Sequence, residues 1–135
     1  MQEGDRTGIL LVNTGTPDEP RPRAVRKYLA RFLMDPRIAP MNRVGWWFVL
    51  HLFILPKRGR ASAEKYARIW TEEGSPFTVA HMKLARALDA QLAEEGHDAV
   101  VRCAMSYSAP FVRDAVRELK EAGCTRLVVL PLYQQ

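Results

Sequence analysis

The side chains able to bind metal or act as nucleophiles are few and scattered along the chain. His51, His81 and His97 are the three histidines, and none has a cysteine or second histidine at ligand spacing. His51 lies within an apolar run and reads as a packing residue, while His81 and His97 read as helix-surface and turn residues. Cys103 falls mid-strand and Cys124 at a helix-to-strand turn, with no histidine placed to activate either, so both read as buried, inert thiols. Two cysteines are too few for a disulfide framework or a four-ligand zinc site. The Gly15-Thr16-Pro17 turn lacks the further glycines of a dinucleotide fingerprint, and no Gly-Lys-Ser/Thr phosphate loop occurs. Glu72/Glu73 and Glu94/Glu95 are neighbours in sequence, which do not face each other on a helix, and both pairs read as solvated.

What remains is cationic. Residues 1–60 carry 11 basic against 5 acidic side chains, whereas residues 61–135 carry 9 against 10. A basic first half is suited to phosphates, a lipid headgroup surface or a carboxylate-bearing small molecule, or is a solvated face without a partner. No nucleic-acid partner is expected.

Elements must place these groups. Gly8–Asn13 is a short apolar run with β-branched residues, stopped by Gly15 and Pro17, as in a strand buried on both faces. Asp18, Glu19, Pro20 and Pro22 predict a helix start, and Val25, Tyr28, Leu29, Phe32 and Leu33 form one helical face that closes at Asp35-Pro36. Residues 44–55 are the most apolar stretch; as a helix they rise only ~18 Å, short of the ~30 Å hydrocarbon core. Trp46, Trp47 and Phe48, flanked by Arg43, Lys57, Arg58 and Arg60, fit a buried or pocket-lining helix, or a helix lying at a membrane surface. Pro56 should end that stretch, with a short helix from Ala61 to Trp70 and a break at Glu72-Glu73-Gly74-Ser75-Pro76.

A longer helix is expected from Thr78 to Glu95, with Leu84, Ala85, Leu88 and Leu92 inward and Gly96 as its stop. Val100–Met105 predicts a second strand. Ser108 is the expected N-cap of a helix whose Val112, Ala115, Val116 and Leu119 face the core. Arg126–Leu132 predicts a third strand. Apolar strands alternating with helices imply a parallel sheet in an α/β fold, with right-handed crossovers. Ligands of such sheets bind beyond the carboxyl ends of the strands. Those ends are Asn13–Pro17, Ser106-Tyr107-Ser108 and Tyr133-Gln134-Gln135, and a strand ending at the last residues reads as a truncated sheet. The length of 135 residues suits one domain, and 47% hydrophobic with 26% charged residues suits a globular one rather than a disordered one. The N-terminus shows no secretory signal, so a cytoplasmic protein with reduced thiols is expected, with a peripheral membrane contact as the further option.

Several blocks of residues are familiar together. Gly8-Ile-Leu-Leu-Val-Asn-Thr-Gly-Thr-Pro-Asp-Glu-Pro is similar to the opening of the ferrochelatases, which insert ferrous iron into protoporphyrin IX in haem synthesis. The resemblance continues through Val25–Arg37, Trp46-Trp47, Ile54-Leu-Pro, Ala63–Pro76, Ala104-Met-Ser-Tyr and Val128-Val-Leu-Pro-Leu-Tyr. These blocks lie in the family's order and spacing across residues 8–135. One departure stands out: Leu132-Tyr133-Gln134-Gln135 occurs where the family usually reads Leu-Tyr-Pro-Gln.

The resemblance implies a Rossmann-like, chelatase-type three-layer α/β domain with a parallel sheet, residues 1–135 being the N-terminal one of two similar halves. It places the family's metal-handling histidine and partner glutamate in the other half. No catalytic residue, metal site or cofactor is therefore expected in this chain, iron being substrate, and the chain alone is expected to be inactive. Thr14 resembles the position over the macrocycle face, where coproporphyrin users usually carry tyrosine, which favours protoporphyrin. Lys57 and Arg58 resemble the basic pair that meets a propionate, and Tyr66, Ser75 and Tyr107 resemble polar pocket contacts. Phe32, Leu33, Met34, Trp46 and Trp47 resemble the hydrophobic lip that admits the macrocycle. Two alternatives stand beside the lyase reading: a non-catalytic porphyrin- or membrane-binding fragment, and a related cobalt chelatase of corrin synthesis. The Trp46-Trp47 segment and the Lys57-Arg58 pair speak against the cobalt enzyme.

Overall fold

A computed structural model describes residues 4–133. Tyr133 is therefore the last described residue of the third strand end, and Gln134 and Gln135, including the departure at 134, lie outside it. The chain forms two compact units, one of residues 1–15 with 77–135 and the other of residues 16–76.

The first unit is a parallel sheet of three strands, β1 (Arg6–Asn13), β2 (Ala99–Met105) and β3 (Cys124–Pro131), in the order β2-β1-β3. Strand β1 is central, and Leu10, Leu11 and Val12, which point to its two faces in turn, are all buried. Its alternate side chains feed two cores. Leu10 and Val12 pack with Ala104 against Ala115 and Leu119 of helix α5 (Val112–Glu121). On the opposite face Leu11 packs with Val101 and Cys103 against Ala85 of helix α4 (Pro76–Glu94). The chain steps from β1 outward to β2, then back across β1 to β3; with crossovers of one hand, that reversal puts the two helices on opposite faces. The result is the expected helix–sheet–helix α/β domain with a Rossmann-like parallel sheet.

Three expectations in this unit are corrected. Leu84 is 49% exposed: Ala85, Leu88 and Leu92 face inward as expected, and His81 rather than Leu84 completes their stripe. His81 is thus not a surface residue: it is only 5% exposed, and both ring nitrogens lack a hydrogen-bond partner. Ser108 does not cap α5; Phe111 holds the cap position and accepts from the Ala115 amide at 3.0 Å, while Ser108 is buried against Gly15. Cys103 is buried as expected, its Sγ 3.0 Å from the Met82 sulfur, and burial pushes its thiol pKa up, which disfavours the reactive thiolate. Cys124 is only partly buried. At the edge of the sheet, the outward Val101 amide is met by the Asp89 carboxylate at 2.9 Å.

The second unit is helical. Helix α1 (Pro22–Leu33) starts at Pro22, whose missing amide costs nothing in the first turn, and Asp18 and Glu19 lie ahead of the helix rather than in it. Its end is held by Asp35, whose carboxylate accepts from the Arg37 amide at 2.9 Å and pairs with the Arg37 guanidinium at 2.8 Å. Helix α2 (Arg43–Val49) is capped by Asn42, whose Oδ1 accepts from the amides of Val44 and Gly45. A π-helical segment, Leu50–Ile54, leads directly into α3 (Leu55–Ile69).

The expected break at Pro56 is therefore absent, and the separate helix from Ala61 is part of a helical run from Arg43 to Ile69. The widened π turn, in which the Leu55 amide bonds the Leu50 carbonyl, stands immediately ahead of Pro56 and relieves the clash and missing donor that a proline brings to a regular helix. The run is also not a buried helix: Leu50 is fully covered, but Val44, Phe48, Leu52 and Phe53 are more than half exposed. The break at 71–76 is as expected, with Thr71 and Gly74 exchanging backbone bonds of 3.0 Å around a glycine at φ +112°.

Candidate functional site

In the sheet unit, the loops after β1 and β2 are stitched together at the carboxyl ends of the strands. The Ser106 amide donates to the Asn13 carbonyl at 2.9 Å, and the Tyr107 amide donates to the Thr14 carbonyl at 3.0 Å. The Thr14 amide is held in turn by the Asn13 side chain at 2.9 Å. Thr14 and Tyr107, far apart in sequence, are thereby set side by side with both side chains half-buried. Gly15 makes this approach possible: at φ +121° it leaves room for Ser108, into which any Cβ would run.

In the helical unit, the two segments expected to form a lip do meet. The Trp46 indole Nε1 donates to the Leu33 carbonyl at 2.7 Å, tying the end of α1 to the start of the α2–α3 run. That bond uses one of the carbonyls left open at a helix end. Phe32 stacks on Tyr28 with ring centroids 6.3 Å apart, and Phe32, Leu33, Met34 and Trp46 are all half-buried. Trp47 is exposed, edge-on to Phe48 at 5.2 Å and stacked on His51 at 4.3 Å. Lys57 and Arg58 lie in the first turn of α3 with exposed side chains.

Further along α3, Tyr66 is half-buried and packs edge-on to Trp70 at 6.4 Å, and burial raises its phenol pKa, keeping the hydroxyl neutral as a hydrogen-bond donor. Ser75 is 4% exposed, its Oγ accepting from the Thr16 hydroxyl at 3.0 Å. Ser75 is thus a paired, buried hydroxyl. Thr16 as its partner was not legible in the sequence, since the two are 59 positions apart. Among the described residues, no group of three or more His, Cys, Asp or Glu side chains converges to hold a metal. No described helix is long and apolar enough to cross a membrane.

The ferrochelatase family profile matches residues 6–135. The chain is 50% identical over 130 residues to a ferrochelatase of Janthinobacterium sp. (strain Marseille). It is 51% identical, also over 130 residues, to a ferrochelatase of Herminiimonas arsenicoxydans. Each alignment takes in 96% of this chain but only 35% of the relative, in its N-terminal part. With a parallel three-layer sheet, the family's profile matched over nearly its whole length and half its residues shared with these relatives, the chain belongs to the ferrochelatase family.

Proposed function

We propose that residues 1–135 belong to the N-terminal half of a haem-biosynthetic ferrochelatase, spanning about a third of the length of its relatives, and supply one side of its protoporphyrin IX site. The observation that carries this reading is the helical run from Arg43 to Ile69, which joins an exposed aromatic and aliphatic stretch directly to the Lys57-Arg58 pair. A porphyrin is a flat apolar ring with carboxylates at one edge, and such a surface offers each part its complement. Phe32, Leu33, Met34, Trp46 and Trp47 take the macrocycle edge in this reading, Arg58 with Lys57 takes a propionate, and Thr14, Tyr66, Ser75 and Tyr107 are polar contacts. Thr14, in place of the tyrosine usual in coproporphyrin users, supports protoporphyrin.

Insertion of iron requires two pyrrole protons to leave the macrocycle and a metal to enter. The base and the metal-handling residues belong to the other half in this assignment, and ferrous iron is a substrate. Titration of the chain with protoporphyrin IX, followed by absorbance, should show saturable binding that the dimethyl ester, lacking carboxylates, shows more weakly. The same preparation should form no zinc- or iron-porphyrin above a denatured control. Failure to bind the free acid, or steady metal insertion by the chain alone, overturns this assignment.

The exposed apolar side chains of Val44, Trp47, Phe48, Leu52 and Phe53 favour a second role for the same run, a peripheral contact with a membrane surface. A cytoplasmic enzyme touching the bilayer there would receive an apolar substrate from it.

A further inference from the structure

The helical unit contains a cationic cavity that the porphyrin assignment does not use. It has a volume of about 280 Å³ and is lined by Arg26, Lys27 and Ala30 of α1, His51 of the π segment, and Leu55 and Pro56 of α3. Its walls bring three nitrogen-bearing side chains over an aliphatic floor, with no carboxylate among them.

Arg26 is the unusual member. Its side chain lies against Gly59, so closely that a Cβ at 59 would sit 2.5 Å from Cγ and 2.8 Å from Nε. The Nε is buried and has no hydrogen-bond partner. A buried guanidinium nitrogen without an acceptor is costly, and a helix that keeps glycine at 59 to admit it gives up helix propensity as well. Both costs are offset if an anion entering the cavity is held by the rest of that guanidinium. His51 points to the same conclusion. Its Nδ1 lies 2.9 Å from the Trp47 carbonyl, which can only accept, so Nδ1 carries the hydrogen. That leaves Nε2 as the uncommitted nitrogen, an acceptor for the P–OH hydrogen of a protonated phosphate while Nδ1 keeps its own hydrogen. The π segment that holds His51 is of the kind found at functional sites.

We propose that this cavity is a phosphate-binding site, taking a terminal phosphate on Arg26, Lys27 and His51 Nε2. Groups arriving from α1 and from the π segment, three in number, suit a tetrahedral group with three free oxygens better than a planar carboxylate with two. The phosphate belongs either to a free phosphomonoester or to an anionic lipid headgroup, since Trp47, stacked on His51, opens the exposed apolar stretch.

The test is calorimetric titration of the chain with inorganic phosphate and with glycerol 3-phosphate, against sodium chloride at matched ionic strength. Flotation with phosphatidylglycerol and phosphatidylcholine vesicles runs in parallel. Arg26→Gln and Gly59→Ala should each weaken binding about tenfold or more, and Lys27→Gln severalfold, while Arg68→Gln on the exposed side of α3 should have no effect. Lys27 is solvent-exposed, so Lys27→Gln decides the matter even if Arg26→Gln fails to fold. Saturable binding of the soluble phosphates assigns the free ligand. Retention by phosphatidylglycerol alone, lost in Arg26→Gln and Lys27→Gln, assigns the headgroup. Absence of both, or an equal loss in Arg68→Gln, overturns the site.

Discussion

His81 and Arg58 show how differently burial acts on single charges. His81 is packed in α4 beside Phe77, with ring centroids 6.4 Å apart and no partner for either nitrogen. Desolvation lowers its pKa below the usual imidazole value, against a smaller opposite pull from the Leu11 backbone. The folded state therefore resists a proton that the unfolded chain accepts near pH 6.5, so His81 erodes stability as pH falls through that value. His81→Leu should remove this contribution: urea midpoints of wild type and variant should diverge in the variant's favour between pH 8 and pH 5. A parallel pH dependence of the two proteins would contradict it. Arg58 is the opposite case, exposed and available. A charge-assisted bond to a partly desolvated propionate is worth about 1.5–3 kcal/mol, or about a tenfold to hundredfold change in affinity. Arg58→Leu should weaken protoporphyrin binding by that factor, leave binding of the dimethyl ester almost unchanged, and exceed the effect of Arg21→Leu or Arg113→Leu, since exposed charges contribute ~0–1 kcal/mol.

At the scale of elements, the inward faces of α1 and α5 were readable, and α4 departed from its expected face at Leu84 and His81. In α4, Leu84 and Ala85 are adjacent, and hydrophobicity alone favours Leu84 inward. The sheet instead takes the small Ala85, which lets the helix approach Leu11, Val101 and Cys103. On the other side, Leu119 of α5 fills the space above Gly8, its Cδ1 only 3.1 Å from where a Cβ would stand. Leu119→Ala should cost about 2–5 kcal/mol in chemical denaturation, because the cavity it opens lies in a buried cluster. Leu84→Ala should stay within about 0.5 kcal/mol despite deleting the same atoms. In the helical unit, Pro56 misled in the same way: a proline reads as a break only while the preceding turn is assumed regular, and the π segment changes that turn.

At the scale of the whole molecule, β3 is an apolar strand left without cover among the described residues. Leu127, Val128, Val129 and Leu130 are all 38–50% exposed, on both faces of an edge strand. Open hydrophobic edges pair with other chains. Sedimentation of the 135-residue chain should thus show concentration-dependent association, and Val129→Lys should reduce it; a concentration-independent monomer would count against the edge as the cause. The relatives are nearly three times as long, and the length they have beyond the matched 35% is available to cover such a strand.

Local chemistry alone was enough to determine the strands, the parallel α/β class and the cationic pair at the end of an apolar run. Continuous β-branched runs, glycine stops and a proline in a first helical turn act within a few residues of one another, and so can be read in order along the chain. The familiar blocks of residues led to the family in the same way. Four things were decided only by tertiary structure: the exclusion of Leu84 from the inward face of α4, the burial of His81, the pairing of Thr16 with Ser75, and the fit of Arg26 against Gly59. Each depends on residues distant in sequence competing for one space, and packing at crystal-like density settles such competition by shape, which no local pattern encodes.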